Sequence, residues 1–217
     1  MRRARAVGTV RPGAERAVPR LSFQLPGTWL ALDPRSPAAA TEVERVVRDI
    51  IGAADDAALA RRRLGDSLER AVAAARDADA HGFFACLEIA PGIRVPASLT
   101  VHAPALLRMT PAIGTSPDAV LGALRASFAE LGVEGVETAT RLEGPRASIL
   151  RLERLVADDV EEGGERATVT RLEVEYWFAV PSSKQVVLAL FVSPLGELRH
   201  ALRNLFDAVA LAAWFGP

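Results

Sequence analysis

The segment Lys184–Ser193, KQVVLALFVS, constrains the fold more than any other stretch of the chain. Read as an extended strand, Val186, Leu188, Leu190 and Val192 line one side, and Val187, Ala189 and Phe191 line the other. Successive side chains of a strand point to opposite faces, so this strand is apolar on both. Such a strand belongs in the middle of a sheet whose two faces are both covered. The rest of the chain must therefore supply neighbouring strands and two covering layers.

The neighbours are legible just upstream, where strands are expected at about 134–142, 146–157 and 166–180. Leu150, Leu152 and Val156 share one face of their strand, and Leu172, Val174, Tyr176 and Phe178 share one face of theirs. Arg151 and Glu153 would then oppose Glu173 and Arg171. Placing unlike charges opposite each other predicts an antiparallel register whose paired numbers sum to 324, with the turn near Glu162. Earlier in the chain, Leu21, Phe23 and Leu25 alternate with polar residues, and Trp29–Leu32 reads as a second short strand after the Pro26-Gly27 turn. His81–Ala90 and Ile93–His102 read as two more, with Pro96 suggesting an edge position or a bulge in the latter.

Four helices complete the reading. Ser36-Pro37, Ser116-Pro117 and Ser193-Pro194 each precede helical periodicity. In each, serine can cap orphan N–H groups and proline occupies the first helical position. The first helix is expected to end at Gly52, with Val43, Val46, Val47 and Ile50 inward. A second runs from about Asp55 to Asp79 with Leu59, Leu64, Leu68, Val72 and Ala75 inward. The third spans about Pro117 to Leu131, burying Val120, Leu121, Leu124, Phe128 and Leu131. The fourth spans about Pro194 to Ala213, with Glu197, Arg199, Arg203 and Asp207 on its outer side. The expected class is α+β: a mainly antiparallel sheet with helices on both faces, an α/β/α sandwich.

Composition separates the two ends of the chain. Of 26 basic residues only Lys184 is lysine, so any single arginine carries little functional weight. Residues 1–20 have a net charge of +5 and the remainder −6, giving −1 overall. The head reads as a disordered basic tail (1–20) ahead of a single domain (21–217). It lacks the apolar stretch of a secretory leader, and no run of about 18 apolar residues appears, so a cytoplasmic protein without a transmembrane segment is expected. Arg2, Arg3 and Arg5 could meet an acidic partner or a membrane surface.

With these elements in place, the chain resembles the Mog1/PsbP-like fold family, including the LpqN-type proteins of actinobacteria. The resemblance lies in Phe23, Pro26 and Trp29 of an opening F-x-x-P-x-x-W, in VVLALFVSP, and in the closing Leu202–Ala210 helix. It covers about residues 20–214 in outline and implies a non-enzymatic accessory or partner-binding protein. The chain departs from the lipoprotein members in having no lipobox. No site residue carries over.

Motifs for chemistry are sparse. His81, His102 and His200 are widely spaced, with no H-x-x-x-H or C-x-x-C pair, so no metal and no cofactor are expected. Cys86 sits mid-strand among apolar residues and reads as an inert thiol. There is no G-x-S-x-G and no phosphate loop. The acidic run Asp158, Asp159, Glu161 and Glu162 reads as a solvated hairpin tip. A net-negative body with few aromatic residues argues against nucleic acid. The candidate binding patch is Arg171, Glu173, Glu175 and Trp177, on one side of their strand, if that face is partly open. The expectation is a protein-binding adaptor. The alternative is a small-molecule binder or enzyme with a pocket between sheet and helices.

Overall fold

A computed structural model describes residues 20–52, 55–104, 107, 109–110, 112–162 and 165–216, with backbone alone for 160–162 and 165–167. Its elements, in chain order, are β1 (Leu21–Ser22), β2 (Thr28–Leu32), α1 (Ala39–Ile51), α2 (Ala58–Asp77), β3 (Gly82–Glu88) and β4 (Ser98–His102). There follow α3 (Pro117–Glu130), β5 (Thr140–Glu143), β6 (Ser148–Glu162), β7 (Glu165–Ala179), β8 (Val186–Ser193), α4 (Arg199–Leu211) and β9 (Trp214–Phe215). The basic segment 1–19 lies outside the described residues. Among the described residues, no helix is long and apolar enough to cross a membrane.

Seven antiparallel strands form the main sheet in the order β2-β3-β4-β8-β7-β6-β5, so β8 occupies its centre. Its two apolar sides meet two different layers. Val187, Ala189 and Phe191 pack with Leu202, Phe206 and Val209 of α4, and the Phe191 and Phe206 rings stack 4.6 Å apart. Val186 and Leu188 pack with α3 through Val120, Leu121, Leu124 and Phe128. Helices α1 and α2 lie over β2 and β3, burying Val43, Val46, Val47, Leu68, Val72 and Ala75 against Leu30, Leu32, Phe83 and Ala85. The register places Phe83, Thr100, Leu190 and Glu175 on one face, so α1, α2 and α3 share it. The β1–β9 pair sits with α4 on the other face. The antiparallel α/β/α sandwich follows.

Several local expectations are corrected. Ser116 caps α3 in extended conformation, its hydroxyl accepting from the Ala119 N–H at 3.3 Å. The other two Ser-Pro pairs do not cap. Ser36 and Ser193 accept from the N–H groups two residues on, Ala38 and Leu195, and their helices begin later, at Ala39 and Arg199. Pro96 does not mark an edge strand: it precedes β4, which is internal, and its carbonyl accepts from the Ser193 hydroxyl at 2.8 Å. Leu59 and Leu131, expected inward, are exposed, because they sit at helix ends beyond the packed face.

The β6–β7 register is also corrected. Ile149 pairs with Phe178 and Glu162 with Glu165, a constant sum of 327 rather than 324. The shift of three exchanges the faces of one strand relative to the other. On the α3 face, Leu150, Leu152, Arg154 and Asp158 lie with Trp177, Glu175, Glu173 and Arg171. The odd sum turns Arg151 and Glu153 to the α4 face, where Asp207 and Arg203 receive them, whereas 324 would have set Leu152 opposite Leu172 across the faces now used.

Candidate functional site

The three helices of the shared face leave a gap between them. Leu190 and Val192 are half-buried and belong to neither the α1/α2 nor the α3 cluster. Ser98 and Thr100 flank them on β4, while Glu173 and Glu175 pair with Val192 and Leu190 on β7. With strands about 4.8 Å apart, β4, β8, β7 and β6 make a saddle about 14 Å wide.

All four residues expected as a binding patch border this saddle, and the structure joins them into one chain. The Trp177 indole N–H donates to Glu175 Oε2 at 2.8 Å. Arg154 donates to both Glu175 Oε1, at 2.6 Å, and Glu173 Oε2, at 3.1 Å. Arg171 donates to the other oxygen of Glu173 and to Asp158 Oδ2. The two glutamates are the least exposed members, 13% for the Glu175 side chain and 15% for that of Glu173, and the outer Asp158 is the most exposed at 39%. The inner end is fixed, because the Trp177 ring is buried edge-on against Phe128 of α3 at 5.2 Å. Trp177 thus acts as an anchor for the charges and presents no ring to solvent. Arg154 was not singled out from the sequence; the register that brings it to Glu173 and Glu175 was the missing information.

Beyond this chain the hairpin leaves the sheet. β8 pairs with β7 only from Leu172 to Ala179, and β5 pairs with β6 only from Ser148 to Arg151. Seven residues of β7, Glu165 to Arg171, therefore continue past the last β8 partner, about 24 Å of two-stranded ribbon. One short turn, Gly196–Leu198, lies against β7 at Thr170, where a Cβ on Gly196 would come within 2.6 Å of the Thr170 carbonyl.

The opposite face is tied down differently. The Tyr176 hydroxyl donates to Asp207 Oδ1 at 2.7 Å, Arg151 pairs with the same carboxylate, and Arg203 pairs with Glu153 at 3.6 Å. Burial first, and then the Asp207 charge, push the Tyr176 phenol well above its usual range. Arg203 and Asp207, expected on the outer side of α4, thus face the sheet.

Two of the three histidines come together at the far ends of β3 and β4. His102 Nδ1 lies 3.1 Å from the Ala78 carbonyl and Nε2 lies 2.9 Å from the Thr100 hydroxyl. Burial, then the Arg35 charge for His81 and the nearby His81 for His102, hold both below the usual imidazole range. His200 is exposed, at the start of α4. Among the described residues, no group of three or more His, Cys, Asp or Glu side chains could hold a metal ion. Burial pushes the Cys86 thiol up to about 11, well away from the thiolate range of reactive cysteines. A cleft open to solvent lies between α1 and α2, lined by Val43, Val47, Arg48, Arg62, Asp66 and Glu69. It is formed by helices alone, away from the sheet.

No family model matches the chain, and no curated protein matches it in sequence. Two solved structures do match. One is the crystal structure of LpqN, involved in cell envelope biogenesis of Mycobacterium tuberculosis, at 12% identity and TM-score 0.42, covering 96% of this chain and 90% of that one. The other is the solution structure of cyanobacterial PsbP (CyanoP) from Synechocystis sp. PCC 6803, at 11% identity and TM-score 0.29, covering 96% and 98%. Both are of the kind the sequence resembles. Likeness at this level transfers no activity, and the fold described above rests on its own strand pairing. The cytoplasmic placement is corrected: a match to a protein of cell envelope biogenesis is at odds with it, and the reading of the head on which it rested concerns residues outside those described.

Proposed function

We propose that this chain is a non-enzymatic accessory protein that binds another protein through the saddle and the ribbon that rises from it. One observation carries the reading: a connected chain of charges, fixed at a buried tryptophan, runs along a half-covered sheet face into a projecting hairpin. Prepositioned polar groups around a half-buried apolar floor match the anatomy of a recognition surface, with its apolar centre and polar rim. The internal ion pairs hold Glu173 and Glu175 in place before a partner arrives, which lowers the ordering cost of binding.

Site-specific photocrosslinking in the source cells tests this. A photoreactive residue at Glu173 or Asp158 is expected to give one discrete adduct with the same protein, while one at Arg62 in the α1–α2 cleft gives none. Equal adducts from all three positions, or none from any, would overturn it.

A further inference from the structure

The outer edge of β6 has no strand partner beyond Arg151, and among the described residues no backbone group from Leu155 to Glu162 bonds outside the β6–β7 ladder. In an antiparallel strand every second residue turns its N–H and C=O outward, so this edge presents about four outward N–H and C=O pairs. A two-stranded hairpin is marginal in water, and a third strand supplies what it lacks. Charge selects the occupant. Residues 156–171 carry five acidic and two basic side chains, a net of −3. Of the basic ones, Arg171 is already engaged by Asp158 and Glu173. Asp159 takes a hydrogen bond from the Thr168 hydroxyl and has no ion pair among the described residues. A second copy of this ribbon would bring like charge to like charge, as would a nucleic acid.

We propose that the β6 edge, Leu155–Glu162, receives a basic, extended segment of a partner protein as an added antiparallel or parallel strand. This rests on the protein-binding reading above and gives that partner a chemistry. The exposed Leu155, 40% accessible, marks the inner end of the edge, where an apolar side chain of the incoming strand finds contact. The Asp158 and Asp159 carboxylates, on opposite faces of the ribbon, meet arginine or lysine on either side of that strand.

The test uses the full chain and a synthetic capped peptide, (Arg-Val)4, with amide hydrogen exchange as the readout. The expected result is at least tenfold slower exchange at alternating β6 amides between 155 and 162. An (Arg-Val)4 peptide N-methylated at alternate residues, on the edge that must bond, is expected to give none, and (Glu-Val)4 none. Equal protection by the methylated and unmethylated peptides would mean charge attraction alone and would overturn strand addition. So would protection elsewhere, or no protection. Failure here with the Glu173 crosslink intact removes strand addition and leaves the docking reading. A missing crosslink with edge protection intact does the reverse.

Discussion

Tyr176 places its hydroxyl in the layer between sheet and α4, where the Asp207 carboxylate accepts from it and Arg151 balances the charge. Removing that one hydroxyl leaves a part-buried carboxylate short of a donor. Tyr176→Phe is expected to lower stability by about 1–2 kcal/mol, read as a lower urea midpoint at unchanged slope; an unchanged midpoint would show the bond contributes nothing. The two half-buried histidines, His81 and His102, give stability a pH dependence. Both have folded pKa values below 6.5, so the unfolded chain takes up their protons first as pH falls. Their contribution is whole above about 6.5 and is lost as pH falls below it. Urea midpoints measured from pH 8 to pH 5 should drop, and His102→Gln should flatten the drop; identical profiles for the two proteins would refute the assignment. At this scale the sequence was informative about which residues carry charge but silent on which pairs meet. Arg154 is the instance. The register of 327 turns Arg151 and Glu153 toward Asp207 and Arg203 of α4 and brings Arg154 to Glu173 and Glu175. Matching single charges across the hairpin, as in the 324 register, leaves out these partners.

Among the helices and strands, the three Ser-Pro pairs show how the same dipeptide does different work. Only Ser116 has both the extended backbone and a free N–H three residues on at Ala119. Ser116→Ala is expected to cost about 1 kcal/mol, and Ser36→Ala, one turn ahead of its helix, a smaller loss, both measured by thermal unfolding. Equal losses would mean that Ser36 caps as well. The periodicity of each helix located it within a few residues, because one buried stripe repeats every three or four positions. The ends were less legible, since they depend on backbone geometry that the dipeptide alone does not set. The central place of β8 was legible for a different reason: no other position in a layered fold accepts apolar side chains on both sides. The outward length of β6 and β7 was not, because the polar sequence of 156–171 reads equally well as a loop.

At the scale of the molecule, three helices on one face and one on the other leave the saddle as the least covered part of the sheet. Among the described residues, none of the ribbon's side chains from 156 to 171 joins a core cluster. Replacing 156–171 by Asn-Gly, which keeps Leu155 opposite Leu172, should leave the melting temperature within a few degrees while abolishing the Asp158 adduct's counterpart at Glu173. Loss of folding in this variant would show that the ribbon is part of the core.

The short β1–β9 pair has one more consequence. Leu21 lies opposite Phe215, and the Gly216 N–H bonds to the Arg20 carbonyl at 2.7 Å. The first and last described residues are thus neighbours, seated with the Phe178 end of β7 while the hairpin tip points the other way. A short linker could join 216 to 20 and turn the body into a closed ring. New ends could then be opened between Glu162 and Glu165, the outermost described pair of the ladder. Such a permuted chain is expected to keep the near-ultraviolet circular dichroism of the parent. It would offer two fresh attachment points at the tip, one at the end of each ribbon strand, from which cargo could be hung in place of a loop.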